Sequence, residues 1–126
     1  MKISIYNRNE YYSIDTELIT YLKAEDHFTY VHNINGNAFL VPIGLSNLCN
    51  MLAENIDFDS VFIKVSRSYV ISRKYISHIN IAKETVTFNY ILNRPVSLAL
   101  PKTKLKTLIN ELKRLDNIKY DANESM

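Results

Sequence analysis

The order of hydrophobic and polar positions predicts a chain built mainly of short β-strands. Apolar and polar side chains alternate along most segments, for example from Phe28 to Asn33, and a period of two is typical of strands that bury one face. Turn-forming residues separate these segments, as at 33–36 and 93–95. The predicted strands are residues 2–6, 11–14, 19–23, 28–33, 37–42, 62–65, 69–71, 75–81, 85–90 and 96–100.

Two segments follow the helical period instead. Leu45, Leu48 and Leu52 recur at helical spacing and predict a short helix that ends near Ala53. After Pro101 a longer amphipathic helix is predicted from the apolar series Leu105, Leu108, Ile109, Leu112 and Leu115. Residues 55–60 are polar and acidic and predict a loop. The expected fold class is therefore mainly β, with short antiparallel strands in small stacked sheets, one short inserted helix and a C-terminal helix.

Composition narrows the possible functions. The chain has 126 residues, of which 47% are hydrophobic, and this suits one ordinary domain. It contains no apolar run of membrane-spanning length and no apolar signal core, so we expect a cytoplasmic protein without membrane contact. With only two glycines and one cysteine, the chain offers no glycine-rich phosphate loop and no multi-cysteine metal site, and Cys49 among leucines predicts a core residue. We expect no enzyme activity, no cofactor and no bound metal.

Charge is distributed unevenly along the chain. Residues 1–61 carry three Lys or Arg against eight Asp or Glu, whereas residues 62–115 carry eleven against two. The last eleven residues carry one against three, and the formal net charge of the whole chain is only +2. Such an asymmetry favours an electrostatic partner surface, and the phosphates of double-stranded DNA would suit it. A solvated face with scattered charges would produce the same count.

The segment 62–74, with the sequence FIKVSRSYVISRK, carries the candidate chemistry. It has four cations, no acid, and apolar residues that can form strands around them. Ser66 and Ser68 flank Arg67, so two short hydroxyl side chains lie beside a long guanidinium side chain, and all three can donate hydrogen bonds. This combination suits DNA, where phosphates fix position and base edges give identity.

Several segments together resemble the LytTR family of bacterial DNA-binding domains. They are ITYLKAEDHFTYV from Ile19, GLSNL from Gly44, FIKVSRSYVIS from Phe62, residues 76–79, and LALPK from Leu98. The resemblance covers about residues 15–113. It implies a mostly β domain without a helix-turn-helix, which inserts loops into successive major grooves of promoter DNA and bends it.

The resemblance also implies positions for DNA contacts. The base-reading positions of the family fall on His27, on Arg67 with its neighbour Ser66, and on Lys102. Contacts to the DNA backbone are implied for Lys64, Ser68, Arg73, Thr103 and Lys104. The chemistry of the side chains agrees, because Arg67 can pair in a bidentate manner with guanine, and Lys102 can bind guanine with less directional preference.

Two departures from the family limit what can be transferred. Many members resemble this chain at Arg67 but carry histidine at the Ser66 position and a Ser-Arg pair at Pro101-Lys102, so the preferred bases cannot be copied. Relatives also usually carry a receiver domain or membrane helices. Here we expect residues 1–14 to form an N-terminal extension or edge hairpin, 15–115 the DNA-binding domain and 116–126 a disordered tail. A free-standing regulator of this kind would be controlled by abundance, a partner or dimerisation.

The sequence leaves two functions open. The first is a sequence-specific DNA-binding transcriptional regulator, with a homodimer on repeated half-sites. The second is a protein-interaction module of the same fold, an adaptor or antagonist of a related regulator, without DNA readout. The basic segment 62–74 favours the first.

Overall fold

The computed structural model describes residues 1–89, 95–116 and 119–123. In these ranges ten strands form: β1 Lys2–Tyr6, β2 Tyr11–Asp15, β3 Ile19–Glu25, β4 Phe28–Asn33, β5 Ala38–Val41, β6 Phe62–Lys64, β7 Tyr69–Ser72, β8 Ile76–Asn80, β9 Thr85–Phe88 and β10 Val96–Ala99. The helices are α1 Leu45–Asn55, α2 Phe58–Val61 and α3 Lys102–Leu115. Single turns of 3₁₀ helix form at Thr16–Leu18 and Arg73–Tyr75.

The strands form three antiparallel sheets. The largest has five strands in the order β5-β4-β3-β7-β6, and the others are the hairpin β1-β2 and the sheet β10-β9-β8. The five-stranded sheet lies in the middle, because its two faces contribute to two different hydrophobic clusters. The predicted fold class, mainly β with two principal helices, is confirmed.

The first hydrophobic cluster joins one face of the central sheet to α1 and the β1-β2 hairpin. Leu22 and Val31 of the sheet are fully buried against Leu48 of α1, and Ile3 and Ile14 of the hairpin belong to the same cluster. Cys49 also lies in this cluster as a buried free thiol, and burial raises its pKa. The expectation of a core cysteine is therefore confirmed.

The second hydrophobic cluster joins the opposite face of the central sheet to the three-stranded sheet and α3. Ile71 of β7, Phe88 of β9 and Leu105 of α3 are fully buried in it. Strand β3 contributes Leu22 to the first cluster and Tyr21 to the second by ordinary alternation, and a register shift between Ile19 and Tyr21 directs Ile19 toward the first cluster as well. Ile19 packs in the first cluster and Tyr21 in the second, although strict alternation would place both on one face.

Three predicted segments differ in detail from the structure. The expected loop at 55–60 contains the start of α2, where Phe58 is buried and its ring packs 5.3 Å from that of Phe62. The strand predicted at 75–81 is shorter, because the 3₁₀ turn Arg73–Tyr75 precedes β8. The predicted turn at 93–95 lies mostly outside the described residues. In the described ranges no helix has the length and apolar composition needed to cross a membrane.

The half-buried His32 makes the stability of the fold sensitive to pH. Its ring stacks on Tyr21, with centroids 4.1 Å apart, and burial followed by the charge of Lys23 lowers its pKa below 6.5. As pH falls through 6.5, the unfolded chain takes up the proton first, so His32 lowers the free energy of unfolding in mildly acidic solution. Urea unfolding at a series of pH values should show a smaller acid loss for His32→Phe than for the wild type. An equal loss in both proteins would contradict this role.

Candidate nucleic-acid interface

Two exposed turns lie at the same end of the central sheet. The β3-β4 turn follows Glu25, which pairs with Phe28, and the β6-β7 turn precedes Tyr69, which pairs with Lys23. The backbone N–H of Ala24 donates to the carbonyl of Ser68 at 2.8 Å, which ties the second turn to β3 beside the first. This end of the sheet therefore brings together the candidate residues His27, Ser66, Arg67 and Ser68.

The β6-β7 turn has a fixed backbone and an exposed arginine at its tip. The N–H groups of Val65 and Ser66 donate to the carbonyl of Tyr69 at 3.0 and 3.4 Å, and the N–H of Ser68 donates to Ser66 Oγ at 3.1 Å. The Ser66 hydroxyl keeps its own proton for a further hydrogen bond. Arg67 is exposed at this turn. The Arg67 side chain thus extends from a turn whose backbone is already ordered, and this lowers the entropic cost of a specific contact.

His27 occupies the β3-β4 turn next to two carboxylates. Asp26 adopts a left-handed backbone with φ of 55°, a conformation that aspartate tolerates better than most residues. His27, Glu25 and Asp26 are all exposed. The two acids disfavour a phosphate at this turn, whereas the imidazole can donate to or accept from a base edge.

The first turn of α1 lies beside His27, although no local pattern of the sequence indicates this proximity. A Cβ on Gly44 would stand 3.9 Å from the carbonyl oxygen of His27, so the start of α1 abuts this turn. Gly44 is the N-cap and provides no side-chain cap, and Ser46 lines a shallow groove together with Lys64 and Arg67. The sequence does contain a signal for an anion-binding helix start, because a glycine N-cap provides no side-chain partner for the first N–H groups of the helix.

Lys64 places a second cation near this groove. It is the last residue of β6, is exposed, and has its Nζ 5.7 Å from the ring centroid of Phe58. The groove between Lys64, Arg67 and Ser46 therefore has cations on one side and an uncapped helix start on the other.

Three further candidates lie in the first turn of α3. Pro101 is the N-cap and has no side-chain cap bond, and its carbonyl accepts from the N–H groups of Lys104 and Leu105, both at 3.0 Å. Lys102, Thr103 and Lys104 are exposed. Backbone N–H groups at an uncapped helix start favour an anion, and the lysines add charge to this preference.

The hydrophobic packing connects this helix start to the β6-β7 turn. Leu105, three residues after Lys102, is fully buried in the same cluster as Val65, which directly precedes Ser66. Leu100, just before Pro101, belongs to this cluster as well, and its N–H donates to the carbonyl of Glu84 at 3.0 Å. The first turn of α3 and the Ser66–Ser68 turn are thus both held by side chains of the second hydrophobic cluster.

Arg73 is placed apart from the other candidates. It follows β7 at the end opposite to Ser68, and its guanidinium donates to the carbonyls of Ser60 and Leu115, both at 3.3 Å. These bonds connect the end of α2 to the end of α3. A DNA-backbone contact by Arg73 stays a prediction, but its observed bonds give it a structural role.

The described residues do not bring three or more histidine, cysteine or acidic side chains into a group that could hold a metal ion. The candidate residues are instead exposed arginine, lysine, histidine, serine and threonine side chains at two turns of the central sheet and at the start of α3.

Comparison with known proteins agrees with the fold of the chain. The model of the LytTr DNA-binding domain family matches residues 9–113. A solved structure, the LytTr DNA-binding domain of a protein described as a methyl-accepting/DNA response regulator from Bacillus cereus, is 16% identical and has a TM-score of 0.57. That alignment covers 88% of this chain and 95% of that chain. No curated protein matches the chain significantly.

The fold and the family match define the class of the protein as a mostly β DNA-binding domain of bacterial transcription regulation. The chain belongs to the LytTR family.

Proposed function

We propose that the protein is a sequence-specific transcriptional regulator that reads promoter DNA with three exposed segments. His27, the Ser66-Arg67 turn and Lys102 contact bases in successive major grooves. Lys64, Ser68, Thr103 and Lys104 contact the phosphates on either side. The single observation that carries this proposal is the common end of the sheet shared by the β3-β4 and β6-β7 turns, fixed by the bond from Ala24 N–H to the carbonyl of Ser68.

The roles follow from the chemistry of each segment. Arg67 has a guanidinium that can donate two parallel hydrogen bonds to O6 and N7 of guanine, and its turn is already ordered by internal hydrogen bonds. Lys104 stands at an uncapped helix start and approaches a phosphate as a point charge. Glu25 and Asp26 keep the phosphate backbone away from His27, so this turn approaches the DNA through a base.

We expect Lys104→Ala to weaken binding to all DNA sequences to a similar extent. The lost contact is one phosphate neutralisation, so the slope of log affinity against log salt should fall by about one unit. Titration of a specific and a random duplex at several salt concentrations measures both effects. Lys119→Ala, which removes an exposed lysine beyond α3, is the matched control and should leave the slope unchanged. A selective loss on the specific duplex would assign Lys104 to base recognition instead.

Selection of bound sequences from a random duplex library tests the proposed function directly. Enrichment of a motif, followed by salt-dependent binding of the winning duplex, would support a regulator. A motif that is repeated at a fixed spacing would indicate two copies on neighbouring half-sites of one duplex. If no motif is enriched, sequence-specific readout is absent, and the protein-interaction module becomes the better explanation.

A further inference from the structure

Residues 27–53 contain no Asp, Glu, Lys or Arg, although these four types make up 22% of the chain. The segment includes β4, β5 and most of α1. It begins at the candidate DNA-contacting turn and lies between two stretches with an excess of acids, residues 1–26 and 54–61. Much of the segment is buried in the first hydrophobic cluster, and its exposed part is surface without charge.

The uncharged segment exposes an apolar patch on the central sheet. Phe28, Tyr30 and Leu40 are 43%, 36% and 36% exposed, and Tyr30 pairs directly with Leu40 across β4 and β5. These side chains lie on the same face of the sheet as Tyr21 of β3 and Ile71 of β7, which the second hydrophobic cluster covers. The second hydrophobic cluster does not extend as far as β5, so Phe28, Tyr30 and Leu40 stay in contact with solvent.

Strand β5 also presents an open edge, because it is the last strand of the five-stranded sheet. The N–H of Asn33 donates to the carbonyl of Asn37 at 2.8 Å, so these two residues form a hydrogen-bonded pair of the antiparallel ladder. Hydrogen-bonded pairs recur at every second residue, and the N–H and C=O groups of Phe39 and Val41 therefore point toward β4. The N–H and C=O groups of Ala38 and Leu40 consequently point away from the sheet. Natural edges are usually protected by charge, proline, a bulge or a short length. Residues 38–41 contain no charge, proline or bulge, and the protection of this edge is limited to the short length of β5 and to Pro42 after it.

We propose that β5 pairs with β5 of a second copy of this chain across a two-fold axis centred on Phe39. A two-fold axis makes the paired strands antiparallel, so Ala38 of one copy exchanges both backbone hydrogen bonds with Leu40 of the other. The two Phe39 residues then face each other as a pair without hydrogen bonds. The result is one continuous ten-stranded sheet.

A second copy suits this edge better than DNA does. The strand contains no charge, so two copies approach without repulsion, whereas DNA would find no cation on it. A strand of four residues spans about 13 Å, which gives an interface at the small end of specific complexes and hence a weak dimer.

The pairing has a consequence for the arrangement of DNA. Strand β5 runs toward the end of the sheet that carries His27 and Arg67, because Thr29 pairs with Val41. Antiparallel pairing therefore points the two DNA-contacting ends in opposite directions. In this respect the inference rests on the proposed function: the dimer would connect two separate duplexes, an arrangement different from two copies on adjacent half-sites.

Disulfide trapping tests the pairing without DNA. Facing residues of a pair without hydrogen bonds have Cα atoms about 4.5 Å apart, within the range for a disulfide, so Phe39→Cys should form a covalent dimer under mild oxidation. Val96→Cys is the matched control, since Val96 is 36% exposed on β10, the last strand of another sheet. We expect the covalent dimer to form faster at position 39 than at position 96. Equal rates at both positions would overturn the proposal.

The variant Leu40→Lys tests the same surface in a chain without new cysteines. Light scattering should give the wild type a mass that rises from 14.7 kDa toward twice that value with concentration, while Leu40→Lys stays at 14.7 kDa. Val96→Lys should behave as the wild type. A wild type that stays monomeric at millimolar concentration would overturn the pairing.

DNA bridging separates this inference from the proposed function. A duplex with one selected site is immobilised, and capture of a second, labelled duplex is measured in the presence of the protein. The wild type should capture the second duplex, and Leu40→Lys should bind the first duplex normally but capture no second one. Normal binding without capture by the wild type would overturn the opposed arrangement and leave the DNA-binding proposal intact. Loss of all DNA binding in the wild type would overturn the proposed function instead.

Discussion

Arg67→Ala is expected to weaken binding to the selected DNA site by about 1 to 3 kcal/mol, and to relax the preference at one base position. The reason is geometric. Arg67 extends from a turn whose backbone is held by bonds from Val65, Ser66 and Ser68, so the wild type orders only the side chain when it binds. Removal of the guanidinium also leaves the acceptors of the guanine without their partners, and this adds to the cost.

Two further variants make the Arg67 experiment specific. Arg67→Lys keeps the charge but cannot form two parallel hydrogen bonds, so it should retain binding to random DNA and lose most of the discrimination. Arg8→Ala removes the same charge from the exposed β1-β2 loop and should leave both affinities unchanged. Competition titrations with the selected site and its single-base variants measure the change at each position. A loss by Arg67→Ala that is the same for every sequence would assign Arg67 to the phosphates.

Leu105→Ala is expected to lower the free energy of unfolding by about 2 to 5 kcal/mol. Leu105 is fully buried at the first turn of α3, in the cluster that also contains Val65, Leu100 and Phe88. Truncation removes apolar contacts and leaves a cavity that the strands around it cannot fill without shifting. Urea unfolding followed by circular dichroism measures the change.

The matched control for Leu105→Ala is Val96→Ala, because Val96 is an aliphatic residue that is 36% exposed. Its truncation should change the free energy of unfolding by less than about 0.5 kcal/mol. Because Leu105 also fixes the start of α3, the folded fraction of Leu105→Ala should bind the selected site less tightly through Lys102 and Lys104. A Leu105→Ala protein as stable as Val96→Ala would contradict the packing of α3 described above.

Local patterns of the sequence were sufficient for most of the fold. The hairpin at the N-terminus, strand β4 and both principal helices were predicted with bounds within a few residues, because each has a clear period or a strong turn signal. Residues 55–60 were predicted as a loop because α2 is too short for its period to be recognised. Phe58 forms helix there because it packs on Phe62 and leaves its acidic neighbours in solvent.

The candidate site depended more on tertiary structure than the fold did. The residue types of the Ser66–Ser68 turn are visible in the sequence, and the structure adds the bonds that hold this turn beside the β3-β4 turn. Arg73 looked equivalent to Arg67 in the basic segment, but its partners lie 13 and 42 residues away, so no local pattern reveals them. The proximity of Gly44 to His27 likewise arises only when β5 returns along β4.

Strand β3 is shared by the two hydrophobic clusters, and its register shift adds Ile19 to the first of them. Because this strand sends Ile19 into one hydrophobic cluster and Tyr21 into the other, neither cluster can come apart without disturbing the backbone that both share. Unfolding should therefore be one cooperative event, in which the hairpin, α1 and α3 are lost together. The turn that carries Arg67 is bonded to the far end of this same strand, so the surface proposed to meet DNA is anchored on the strand that both clusters share.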